Sequence, residues 1–137
     1  MAELRFSMEP HGASVVASAL GELDVTSSQR FDDCLSEAAE TSDRVILDLS
    51  GVDFMDTTAL AVIVGHWRRR VEAGGLFFLA GARYRYTKAL WITGLADRLP
   101  MYDTVDEALA AAQPEPDAEA ASGHDARKPG GPEVTGG

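Results

Sequence analysis

Leu47-Asp48-Leu49-Ser50-Gly51-Val52-Asp53-Phe54-Met55-Asp56-Thr57-Thr58-Ala59-Leu60 carries a strand, a turn and a helix start in fourteen residues. The run Val45-Ile46-Leu47-Asp48-Leu49 is almost continuously apolar, as a strand covered on both faces of a parallel sheet must be. Ser50 to Met55 read as the turn. Residues 57–73 read as a helix with Leu60, Ile63, Val64, Trp67 and Val71 on its buried face, the 3.6-residue spacing of an amphipathic helix. Gly74-Gly75 would end it, because glycine tolerates the left-handed cap.

Upstream, Leu4, Phe6 and Met8 alternate with Arg5, Ser7 and Glu9, the period-2 pattern of a half-buried strand. Pro10-His11-Gly12 is a turn signal, and Val15 to Leu20 a second strand, so a hairpin is expected. Thr26-Ser27-Ser28-Gln29 reads as a capping box opening a helix whose face is Phe31, Cys34, Leu35, Ala38 and Ala39. Cys34 is then a small buried hydrophobe. Downstream come a strand at Leu76–Ala80, a helix at 84–93 and a short edge strand around Leu99–Tyr102. A second capping box, Thr104 to Glu107, opens a last helix through Ala112. The order is that of an α/β domain: a mixed four- to five-stranded sheet packed with about four helices. Residues 1–112 form that one domain. Residues 113–137 hold nine Pro and Gly and a single large aliphatic residue, Val134, and are expected to be a disordered tail.

The chain has 137 residues, with 22 acidic and 12 basic side chains, net −10. Its first 112 residues carry 17 acidic and 10 basic groups, net −7, so the folded part is itself acidic. Such a surface repels phosphate backbones, and no apolar run approaches the roughly 20 residues that cross a bilayer. Neither nucleic acid nor membrane is expected as a partner. One cysteine and an N-terminus without a basic and apolar leader point to the cytoplasm. His11, His66 and His124 lie far from any metal-ligand spacing. No nucleophile elbow, Walker loop or dinucleotide fingerprint is present. Asp32-Asp33 and Asp106-Glu107 read as acids near helix N-termini. No enzyme, metal or cofactor is expected.

The chemistry lies at residues 56–58. Asp56 or Thr57 suits an N-cap, and no Glu or Gln occupies the reciprocal position, so at least one hydroxyl should project freely beside the loop holding Asp24. A phosphoryl group there is compatible with the helix N-terminus. It adds roughly −1.5 to −2 charge near Asp24, Asp53 and Asp56. The helix face opposite the core would carry Ala59, Val62, His66, Arg69 and Arg70. Tyr84, Lys88 and Trp91 would form an outward stripe on the third helix.

Phe54-Met55-Asp56-Thr57-Thr58-Ala59-Leu60-Ala61-Val62-Ile63 resembles the signature of STAS-domain anti-sigma factor antagonists, whose pattern is Asp-Ser-(Ser/Thr)-Gly-Leu before a helix. Gly21-Glu22-Leu23-Asp24 is similar to that family's strand-to-helix loop, Gly74-Gly75 to its turn before the fourth strand, and Thr93 to Leu99 with Tyr102-Asp103 and Glu107-Ala108-Leu109 to its C-terminal end. The resemblance covers about 110 residues. It implies a STAS-type fold and a partner-switching protein that, unphosphorylated, binds an anti-sigma factor with ATP-dependent protein kinase activity and so frees a sigma factor. A phosphatase would reverse the modification, and the nucleotide would belong to the partner. Carried onto this chain, the acceptor is Thr58, with Thr57 as the alternative. Asp24, Asp56, Thr57, Ala59, Val62, His66 and Arg69 are the expected partner contacts. The protein would be a monomer or weak dimer. Threonine stands where serine is commoner, and Ala59 replaces the usual glycine, placing a methyl where the kinase would approach. A constitutive scaffold subunit and a ligand-binding module are the alternatives on the same fold.

Overall fold

The computed structural model describes residues 3–113. The expected disordered tail lies outside them, apart from Gln113. Five strands, β1 (Arg5–His11), β2 (Ser14–Leu23), β3 (Arg44–Met55), β4 (Leu76–Ala80) and β5 (Met101–Tyr102), lie in the order β1-β2-β3-β4-β5. β1 is antiparallel to β2, and every other neighbouring pair is parallel. The intervening helices are α1 (Ser28–Thr41), α2 (Thr57–Glu72), α3 (Tyr84–Ile92) and α4 (Val105–Ala112), with a 3-10 turn at Leu95–Asp97. The expected mixed sheet with four helices is thus present, at five strands.

Strand alternation divides the core in two. Val15, Ala17, Val45, Leu47, Phe77 and Leu79 face α1, α2 and α3, meeting Phe31, Leu35, Ile63, Trp67 and Leu90. Val16, Ile46, Phe78 and Ala80 face α4, through Ala108 and Ala112. Central strands buried from both sides explain why residues 45–49 lack alternation in sequence.

Pro10 and His11, read as turn, close β1 as strand, leaving the turn to Gly12 and Ala13; two further departures from the sequence reading shape the site. The expected turn at Ser50–Met55 is strand: β3 runs on beside β2 until Leu23 pairs with Met55. A register shift between Ser18 and Leu20 carries the pairing past Gly51, where an added Cβ would stand 2.9 Å from the Leu20 side chain. Glycine here lets two strands stay paired through a bulge. The capping box at 26–29 is also absent. Ser27 makes no side-chain cap to α1, and the Gln29 amide donates instead to Asp33, one turn on. The second box forms: the Glu107 N–H donates to Thr104 Oγ1 at 3.1 Å, and Glu107 accepts from the Asp103 N–H.

The contrast gives a stability test. Thr104→Ala should lower unfolding free energy by about 1 kcal/mol, the usual worth of a cap. Gln29→Ala should cost under about 0.5 kcal/mol, since it removes only an exposed i,i+4 pair. Urea unfolding of both variants checks this. Equal losses would restore a capping role to Gln29.

Candidate functional site at the start of the second central helix

β3 ends on the buried Met55 and delivers Asp56 directly to the α2 start, with the Asp56 N–H donating to the Leu23 carbonyl at 3.0 Å. Both carboxylate oxygens of Asp56 are committed. Oδ1 accepts from the Ala59 N–H at 3.1 Å, capping α2, and Oδ2 accepts from the Val25 N–H at 3.0 Å. Asp56 therefore pins the β2–α1 loop to the helix start. It is a brace, and half-buried, besides being one of the partner contacts the sequence reading expects.

That loop is folded by Asp24. Its Oδ1 accepts from the Thr26 hydroxyl at 2.6 Å and from the N–H groups of Thr26 and Ser27 at 2.9 and 3.2 Å. Ser27 Oγ accepts from the Asp24 N–H and donates to the Glu22 carbonyl. The Thr26 hydroxyl bond, with backbone and Ser27 bonds adding to it against a burial penalty, holds the Asp24 carboxyl below the usual carboxylate range. A depressed folded value means the bonds stabilise the loop above that range and are lost as pH falls through it.

Thr57 is exposed and Thr58 half-buried. Among the described residues neither hydroxyl makes a side-chain hydrogen bond, so both remain uncommitted beside a preformed acidic loop. The more open of the two is Thr57, where the sequence reading favoured Thr58.

Two expected contact residues lie on the other side of the helix. Ala59 is completely buried, and His66 is 6% exposed. α2 is wedged between the sheet and α1, so it buries two adjoining faces rather than one stripe. His66 Nε2 lies 2.6 Å from Asp32 Oδ1 of α1, with Arg69 at 4.0 Å from the same oxygen. Neither Ala59 nor His66 can contact a partner. The burial of Ala59 also removes the expected crowding, because its methyl points into the core. Asp32 serves the α1–α2 contact, and α1 has no acid in its first turn. Val62 is half-buried against the core, Arg69 is exposed, and Arg70 reaches back towards the Ala39 carbonyl. Val64 is half-buried and Val71 exposed, against the expectation for both. Cys34 is half-buried rather than enclosed, and burial pushes its thiol up, away from reactivity.

The pairing of His66 with Asp32 and the double role of Asp56 escaped the sequence, since each joins residues more than thirty positions apart. Among the described residues no cluster of His, Cys, Asp and Glu could hold a metal, and no helix is long and apolar enough to cross a membrane.

Residues 6–108 match the family model of the STAS domain. The anti-sigma-F factor antagonist RsfA of Mycobacterium tuberculosis is 28% identical over 112 residues, spanning 79% of this chain and 87% of its own. The crystal structure of an anti-sigma factor antagonist from Mycobacterium paratuberculosis superposes with a TM-score of 0.72 at 22% identity, covering 80% of this chain and 94% of that one. Bacillus SpoIIAA, a cell fate determinant solved in its phosphorylated form, superposes with a TM-score of 0.65 at 22% identity, covering 80% and 100%.

Proposed function

The chain belongs to the STAS-domain family of anti-sigma factor antagonists, and from that premise we propose that it antagonises an anti-sigma factor by partner switching. The unphosphorylated chain binds an anti-sigma factor that is also an ATP-dependent kinase, through the α2 start and the Asp24 loop, and so releases a sigma factor. Phosphorylation of Thr58 ends the binding, and a phosphatase restores it. The chain acts as a cytoplasmic regulator, not as an enzyme.

The observation that carries this reading is the division of labour at residues 56–58. Asp56 spends both oxygens holding the fold, while among the described residues the two hydroxyls after it make no side-chain hydrogen bond. A phosphate on Thr58 would gain from the N–H groups and positive end of α2, so the fold tolerates it. The same dianion stands beside a loop braced by Asp24 and Asp56, and a docked partner would have to bury it without a counter-ion from these residues. Modification would alter docking without refolding.

The test mixes the protein with its cognate anti-sigma factor and follows complex formation by size-exclusion chromatography. A stable complex that dissociates when ATP is added, and persists with ATP for Thr58→Ala, supports the reading. A wild-type complex indifferent to ATP under conditions that phosphorylate the chain contradicts it.

A further inference from the structure

We infer that the groove between α2 and α3 is a docking site for an acidic amphipathic helix of a protein partner. It does not rest on the switch at Thr58. The groove is a cavity of about 430 Å³ with an apolar floor formed by Leu60, Ala61, Val64, Leu90 and Leu95, and with Thr57 and Arg68 of α2 at its two extremes. Along α2, the eleven-residue step from Thr57 to Arg68 spans about 16 Å at about 1.5 Å per residue. That length admits three turns of a second helix, the arrangement in which i, i+4 and i+7 apolar side chains fill a groove. Arg68 and Leu95 also line a second cavity of about 730 Å³, beside Val71 and Arg98.

Charge identifies the occupant. Residues 3–56 carry twelve acidic and three basic side chains, net −9, whereas residues 68–98 carry seven basic and two acidic ones, net +5. Five of the ten residues lining the groove belong to that basic half, Arg68 among them. Arg85 and Ile92 stand one turn either side of Ala89, a groove residue, and Ile92 is 79% exposed. Among the described residues none of the ion pairs uses Arg68, Arg85 or Arg98. At physiological salt the screening length is about 8 Å, so a segment lying in the groove meets these cations towards its Arg68 end and the acidic loop only at its Thr57 end. Nucleic acid and anionic lipid are large enough to meet the whole −10 surface and are repelled by it. A short helix with leucines on one face and glutamates on its flanks satisfies both the floor and the rim.

The probe is a synthetic sixteen-residue helical peptide of that pattern, titrated into the full chain by fluorescence anisotropy at 150 mM salt. A lysine-flanked peptide of the same leucine pattern should bind at least tenfold more weakly. Ala61→Glu and Arg68→Glu, both at exposed positions that leave melting unchanged, should each weaken the acidic peptide at least tenfold. No measurable binding, equal binding of the two peptides, or insensitivity to both substitutions overturns the proposal. So does tenfold tighter binding when Glu115, Asp117 and Glu119 are changed to Gln, which would assign the groove to this chain's own C-terminal segment. Co-sedimentation with phosphatidylglycerol vesicles that Arg68→Glu abolishes would assign it to lipid, and would equally overturn it.

Discussion

Phosphorylation of Thr58 is expected to weaken binding of the anti-sigma factor by about 100-fold, and Thr58→Glu by at least about tenfold, while Thr58→Ala stays within about twofold of the unmodified chain. A 100-fold loss corresponds to roughly 2.7 kcal/mol. Two unit charges about 5 Å apart at an effective dielectric near 20 interact by roughly 3 kcal/mol, so one uncompensated anionic contact is enough. The phosphate brings roughly −1.5 to −2 charge where glutamate brings one, hence the smaller effect of the mimic. The neighbouring side chains on offer are Asp24, Asp53 and Asp56, and two of them are already bonded within the fold. Isothermal titration of the three forms against one anti-sigma factor preparation checks the ranking. Glutamate binding as tightly as alanine would remove the electrostatic basis of the switch.

Asp56→Ala should lower unfolding free energy by about 2.5–3.5 kcal/mol and also weaken partner binding. The cap on Ala59 accounts for about 1–2 kcal/mol, and the charged bond to the Val25 N–H for about 1.5 kcal/mol more. On a domain of this size about 1 kcal/mol moves the melting temperature by roughly 4–8 °C, so the loss is easily measured. The binding defect follows from geometry: without Oδ2 the β2–α1 loop loses its tie to α2, and Asp24 no longer stands in a fixed place. Asp56→Asn separates the roles. Its amide oxygen can still cap Ala59, but its NH2 meets the Val25 N–H donor, so stability should fall less than in Asp56→Ala while the loop is still released. Melting curves and partner titrations of the two variants, compared side by side, decide between a brace and a mere cap.

The sheet was legible wherever burial leaves a local pattern. Alternation at Leu4, Phe6 and Met8 and the apolar runs at 45–49 and 76–80 announced β1, β3 and β4. What local pattern cannot hold is pairing across the chain. Ser50, Gly51 and Asp53 read as a turn because their propensities say so, yet β2 keeps them extended through the bulge at Leu20. The sequence pattern gives α2 a single apolar stripe, whereas a helix seated on a sheet and flanked by α1 buries His66 as well, with Asp32 supplying the partner. The site was legible to the same degree. The acid followed by two hydroxyls located it, but only the structure gives both oxygens of Asp56 their work and turns the Ala59 methyl inward.

Site mapping by mass spectrometry, after incubation with the cognate kinase and ATP, bears most directly on the hydroxyl switch. A single phosphate on Thr58, absent from Thr58→Ala, is the expected result. Phosphate on Thr57 or Ser27 instead, or an unmodified chain while the kinase is active, would contradict it.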